Sequence, residues 1–175
     1  QAGLIIGKKD LITRVRQHPL MRALRVDKLT LSALEATLRQ YLNPKDLLNR
    51  LPMLWRYTRS ISELRILADH LSNRLSVILA DHAKIEVVKS SAQIGSGSLP
   101  IDQLSSIAVV IHAKQFSTTR IAKLFRLSGI IGRIRDDQLW LDVRSVTEVE
   151  LSTILNAAKE VVKQLDGNNN ASNVS

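Results

Sequence analysis

His18–Leu42 reads HPLMRALRVDKLTLSALEATLRQYL. Two signals share these residues. A short basic segment after Pro19 sets Arg22 and Arg25 three apart, and Leu31, Leu34, Leu38 and Leu42 then recur at helical spacing. If the segment that carries the arginines is helical, both guanidinium groups leave one face. Two planar forks converging on one point suit a phosphate-like anion. A solvated basic face on a core-packed helix is the plainer reading of the same spacing. The spacing predicts a helix from about Lys28 to Leu42. Asp27 or Thr30 can cap it, Ser32 and Glu35 fit a capping box, and Asn43-Pro44 ends it.

Upstream, Leu4-Ile5-Ile6-Gly7 reads as a short buried strand that needs neighbours from elsewhere. Lys8–His18 has Leu11, Ile12 and Val15 at helical spacing, and Pro19 stops it. Downstream, residues 43–59 hold Pro44, Pro52, Trp55 and Tyr57 and read as a connector with one or two helical turns. Trp55 and Tyr57 are read as packing at a domain junction. Ser60 and Glu63 match a capping box, and Ile61, Leu64, Ala68, Leu71, Leu75 and Leu79 mark an amphipathic helix to about Asp81. A domain boundary near residue 58 follows from this change of pattern.

The pattern then becomes mixed. Lys84–Lys89 is a short strand, Gly95–Pro100 a glycine-serine loop, Ser106–His112 a buried strand, and Thr118–Leu127 a helix with Ile121, Leu124 and Phe125 inward. Residues 130–135 and 139–143 pair around Asp136-Asp137. A two-residue turn sets Ile134 opposite Leu139 and Arg133 beside Trp140, with Asp142 diagonal. Thr147 and Glu150 form a third capping box. Ile154, Ala158, Val161, Val162 and Leu165 stripe a last helix that Gly167 can terminate, and the polar tail from Asn168 reads as disordered. The expected fold class is α/β, with about four mostly antiparallel strands and three helices in the second half. The first third looks like the end of a larger domain.

Composition narrows the function classes. Residues 1–60 hold twelve Lys/Arg against four Asp/Glu, so +8 of the net +9 lies there. An anionic partner follows, a nucleic acid or a phosphorylated ligand. Aromatics at 3% argue against a base-stacking platform. There is no cysteine, hence no disulfide framework and no thiolate metal site. His18, His70, His82 and His112 share no ligand spacing, so no metal is expected; only His18, near the arginines, is of interest. Gly95-Ser96-Gly97 lacks the context of a nucleophile elbow, and as a phosphate cradle it lacks the Lys-Ser/Thr that would follow. No run reaches a membrane span and no secretory signal opens the sequence, so a cytoplasmic protein without a membrane partner is expected.

QAGLIIGKK at Gln1–Lys9, HPLMRALRVDK at His18–Lys28, QIGSGSLP at Gln93–Pro100, Gly132-Arg133-Ile134 and Leu141-Asp142-Val143-Arg144 together resemble bacterial selenocysteine synthase, the L-seryl-tRNA(Sec) selenium transferase family. The resemblance runs to about residue 165 and is densest in the first 42 positions. It implies an enzyme with a pyridoxal 5'-phosphate cofactor and an aspartate-aminotransferase-type (fold type I) domain. Such an enzyme turns seryl-tRNA(Sec) into selenocysteinyl-tRNA(Sec) with selenophosphate, by β-elimination and selenium addition. It implies residues 1–42 as the C-terminal remnant of the large cofactor-binding domain, 43–59 as a connector, 60–166 as a small C-terminal α/β domain and 167–175 as a tail. It also implies a homo-oligomer with active sites at subunit interfaces.

Arg22 and Arg25 match the pair that holds the anionic selenium donor. The family's cofactor lysine lies just before the position matching Gln1, and Lys8, Lys9 and Lys28 do not match its motif. No catalytic residue is therefore expected within this sequence, and the chain alone is expected to be inactive. Arg133 and Arg144 are read as structural, Arg133 stacked on Trp140 and Arg144 paired with a carboxylate such as Asp142. Two other readings remain open. A related fold type I enzyme acting on a small phosphorylated amino-acid-like substrate would use the same arginine pair. A basic nucleic-acid-binding module would need a reading element that the sequence does not display.

Overall fold

The computed structural model describes residues 3–93 and 103–172. Its contacts divide the chain into two units, Gln1–Trp55 and Arg56–Ser175. The glycine-serine loop lies outside the described residues.

The first unit is helical. It comprises α1 (Lys9–Gln17), a 3₁₀ turn (Pro19–Arg22), α2 (Lys28–Gln40), a second 3₁₀ turn (Pro44–Asp46) and α3 (Leu47–Arg50). Asp27 caps α2: its carboxylate accepts from Thr30 N at 2.9 Å and from Thr30 Oγ1 at 2.7 Å. These bonds hold the Asp27 carboxyl below its usual range. The Ser32–Glu35 box does not form, because α2 has already begun at Lys28; Glu35 instead pairs with Arg39 one turn on. Leu4–Gly7 is not a strand. It has no partner strand among the described residues, and Ile5 and Ile6 are 72% and 93% exposed. A lone extended segment gains no ladder hydrogen bonds, so its apolar run alone cannot make it a strand. No described residue of this unit is buried, and Leu31, Leu38 and Leu42 of the stripe are exposed.

The division falls within α4 (Pro52–Thr58). The second unit then follows as α5 (Ile61–Ile78), β1 (Ala83–Gln93), β2 (Gln103–Ala113), α6 (Thr118–Leu127), β3 (Arg133–Arg135), β4 (Gln138–Asp142), a 3₁₀ turn (Val143–Ser145) and α7 (Glu148–Ser172). Ser60 opens α5 with a full capping box: Ser60 Oγ accepts from Glu63 N and Glu63 Oε2 accepts from Ser60 N at 2.8 Å. Thr147 and Glu150 repeat the device at α7. α7 runs through Gly167 instead of stopping there. A glycine stop needs the left-handed conformation, and among the described glycines only Gly129 has a positive φ.

The four strands form one antiparallel sheet in the order β1-β2-β4-β3. β1 and β2 are longer than their apolar runs, because pairing continues along eleven residues from Ala83↔Ala113 to Gln93↔Gln103. Ile107, Val109 and Ile111 of β2 and Leu139 and Leu141 of β4 point to one face, where Leu64, Leu71 and Leu75 of α5, Ile121 and Phe125 of α6, and Ile154, Ala158 and Val161 of α7 complete the core. Asp136 and Asp137, at φ 51° and 54°, make the tight turn that sets Ile134 opposite Leu139 and Arg133 opposite Trp140. Ile134 stays half exposed because β3 is an edge strand.

Both arginine readings in this unit change. Arg135, not Arg133, lies over the Trp140 ring, 5.4 Å from its centroid. Both stand on the Trp140 face of β3, but Arg133 is turned toward Asp142, 3.5 Å away. Arg144 does not pair with Asp142, whose carboxylate takes its backbone N–H. The guanidinium is buried and donates to the carbonyls of Arg56 (2.9 Å), Arg59 (3.2 Å), Tyr57 (3.4 Å) and Ser105. Arg59 returns the contact by donating to Val146 O (2.7 Å), Val143 O (3.0 Å) and Arg144 O (3.3 Å). The two side chains clasp the start of α5 to the turn after β4.

Candidate functional site

Pro19 starts the 3₁₀ turn, and His18 caps it by accepting from Leu20 N on Nδ1 at 3.2 Å. Arg22 is the last residue of that turn. Ala23 closes it, and Arg25 lies beyond, in the irregular backbone that leads to the Asp27 cap. The helical geometry expected to align Arg22 with Arg25 is therefore absent. The cause is local: the extended backbone of the Asp27 cap interrupts any helix between Pro19 and Lys28. The two arginines remain close along the chain, within four residues. Both are exposed, and neither guanidinium makes a hydrogen bond or ion pair among the described residues.

Beside them, Leu11, Arg14, Val15, His18, Leu20, Met21 and Leu24 line a groove of about 560 Å³. Its walls are mostly apolar, with Arg14 and His18 as the polar members. Arg14, His18, Arg22 and Arg25 thus follow one another at intervals of four, four and three residues. Asp27, the carboxylate nearest in sequence to Arg25, is occupied by Thr30. Among the described residues the Arg14, Arg22 and Arg25 guanidinium groups have no ion-pair partner, an arrangement that receives an anion. Arg14 was not among the expected residues; its spacing to His18 across the end of α1 is the signal that finds it. Among the described residues no three His, Cys, Asp or Glu side chains are placed to hold a metal.

Comparison with known proteins agrees with the motifs. Residues 1–147 match the family model SelA, L-seryl-tRNA selenium transferase. The chain is 43% identical over 164 residues to the L-seryl-tRNA(Sec) selenium transferase of Haemophilus influenzae (strain PittEE), covering 92% of this chain and 35% of that protein. It is 45% identical over 153 residues to the enzyme of the same name from Salmonella heidelberg (strain SL476), covering 85% of this chain and 33% of that protein. It spans about a third of the length of these relatives and matches their C-terminal part. With a family model covering most of its length, the chain belongs to the L-seryl-tRNA selenium transferase family.

Proposed function

We propose that this chain forms the C-terminal third of a pyridoxal-phosphate-dependent selenium transferase. In that enzyme Arg22 and Arg25 grip the phosphate oxygens of the selenium donor, selenophosphate, for its addition to the seryl group of seryl-tRNA(Sec). The observation that carries the donor site is the arginine pair, without a hydrogen bond or ion pair among the described residues, in a segment that the family model covers. Selenophosphate bears its charge on oxygens that two guanidinium forks can hold together.

The first unit supports the placement. Its apolar stripes are exposed and none of its described residues is buried, as expected of helices that finish a larger fold type I domain. We read residues 1–42 as that domain's end, 43–59 as the connector and 60–166 as the small domain. The described residues do not fit a pyridoxal phosphate site by themselves. Lys8, Lys9 and Lys28 are exposed, and none lines the groove. Cofactor attachment then falls to the rest of the enzyme, assembled as a cytoplasmic homo-oligomer. No helix of the described residues is long and apolar enough to cross a membrane.

The test is to replace the matching C-terminal third of the Haemophilus influenzae relative with this chain and measure selenium transfer onto seryl-tRNA(Sec). An active chimera is expected. A folded, cofactor-loaded but inactive chimera overturns the reading.

A further inference from the structure

The helices cover one face of the sheet. On the other, Arg133 reaches from β3 past β4 and β2 to Ser90 Oγ (3.3 Å) and the Ser91 carbonyl (3.5 Å) of β1. That reach requires the sheet to curl, and the curl leaves a cleft of about 290 Å³ lined by Ser90, Ser91, Arg133, Ile134, Arg135 and Trp140.

The cleft has more donors than acceptors. All three contacts of Arg133 Nη2, counting Asp142 at 3.5 Å, are long for a charged donor, which normally sits 2.7–2.9 Å from a carboxylate. Trp140 Nε1 is buried and has no hydrogen-bond partner among the described residues. Arg135 covers the indole ring, and among the described residues its ion pair is with the adjacent Asp136 at 3.3 Å. Asp142 does not make up the deficit. Its carboxylate already accepts from Ser106 Oγ (2.6 Å), Arg144 N (3.0 Å) and Ser90 Oγ (3.1 Å). A cationic ligand would be repelled and a neutral one would leave the two guanidinium charges unanswered, whereas an oxyanion supplies both acceptor oxygens and the opposite charge.

We propose that this cleft is a second oxyanion site, separate from Arg22 and Arg25, and that it takes a backbone phosphate of the tRNA substrate. The choice of a polymer rests on exposure. The Arg133 and Arg135 side chains are 57% and 69% exposed, so the cleft is open along the sheet edge and grips one phosphate of a partner that extends beyond it. The choice of RNA rests on the functional reading above.

The experiment uses the full chain with Trp55→Phe, so that Trp140 is the sole indole. Binding of transcribed tRNA(Sec) is measured across a salt series, alongside inorganic phosphate as the free-anion probe. The expected result is a Trp140 fluorescence change on tRNA addition. The Arg133→Gln/Arg135→Gln variant should bind tRNA about fivefold to tenfold more weakly, with a salt slope shallower by about 1, the value for one lost phosphate contact. If that variant does not fold, Arg133→Lys and Arg135→Lys keep the charge, and protection of Trp140 from acrylamide quenching by tRNA supplies the readout.

Three results overturn the proposal: no tRNA binding by the parent chain at low salt, unchanged affinity and slope in the glutamine variant (or, where the lysine variants stand in for it, no protection of Trp140 by tRNA in the parent chain), or a Trp140 response to inorganic phosphate with none to tRNA. Selenium incorporation by Arg22 and Arg25 variants is read separately. If their donor use falls while the Arg133/Arg135 variant binds tRNA normally, the donor site stands and this second site fails.

Discussion

Truncating Arg144 should unfold the second unit far more readily than loss of an ordinary surface arginine. Its guanidinium is enclosed and donates through Nη1 and Nη2 to four backbone carbonyls, that of Arg56 at 2.9 Å, while its Nε has no partner among the described residues. Charge-assisted hydrogen bonds contribute about 1.5–3 kcal/mol each, and buried acceptors left without a donor carry their own penalty. The bonds at 3.2 and 3.4 Å are weaker. Against this stands the desolvation of the buried cation, several kcal/mol that truncation relieves. The balance for Arg144→Ala is a loss of about 3–5 kcal/mol, as for breaking other buried charged networks. Arg144→Lys keeps the charge but has no planar fork to span carbonyls from α4 and β2, and should recover less than half. The assay is urea denaturation at constant slope, followed by Trp140 fluorescence in a Trp55→Phe background. Because Arg59 and Arg144 each donate to the other's carbonyl, the double variant with Arg59→Ala should show a coupling of about 1 kcal/mol or more. A shift under about 1 kcal/mol for Arg144→Ala, or strict additivity with Arg59→Ala, refutes the clasp.

Gly132→Ala should cost about 1–3 kcal/mol by overpacking, since its Cβ would come within 2.9 Å of the Trp140 carbonyl and 2.6 Å of Leu139 Cδ1. Gly167→Ala, with nothing within 4 Å in a helix, should instead raise the urea midpoint slightly. Glu63 and Glu150 are held below their ordinary value of 4.5 by hydrogen bonds from Ser60 and Thr147. Their folded pKa values are depressed, so the stability they add is full above the unfolded value and is lost as pH falls through the folded one. The urea midpoint should therefore drop below about pH 4.5, and Glu63→Gln/Glu150→Gln, which removes both titrating carboxyls, should flatten that drop; an unchanged profile contradicts it.

What the sequence showed and what it hid divide along physical lines. A two-residue Asp-Asp turn and the period of two fix the parity of the 130–143 hairpin, so Arg133 opposite Trp140 could be read directly. The cation that stacks on the indole could not, because Arg133 and Arg135 share a face and Asp142 draws one of them aside. Capping boxes at Ser60 and Thr147 are local and readable, whereas Ser32–Glu35 fails because Asp27 starts the helix earlier. Nothing in the sequence marks Arg144 as buried, since its partners are main-chain carbonyls up to 88 residues away. Leu4–Gly7 and the leucines of α2 carry apolar patterns whose partners do not lie among the described residues, so Leu4–Gly7 forms no ladder and Leu31, Leu38 and Leu42 stay exposed. At the candidate site the residues were legible but their geometry was not, because Pro19 and Asp27 impose a 3₁₀ turn and then an extended cap on a segment too short to be a helix.

The most direct test of the donor site separates the two halves of the reaction in the enzyme carrying this chain as its C-terminal third. Loss of the seryl group from seryl-tRNA(Sec) and incorporation of radioactive selenium are followed independently for Arg22→Ala, Arg25→Ala and the matching lysine variants. Losing one charged grip of about 1.5–3 kcal/mol should slow selenium incorporation about tenfold to a hundredfold. Seryl consumption should be unchanged, with lysine restoring only part of the incorporation. If both steps fall together, or neither falls, Arg22 and Arg25 do not hold the selenium donor.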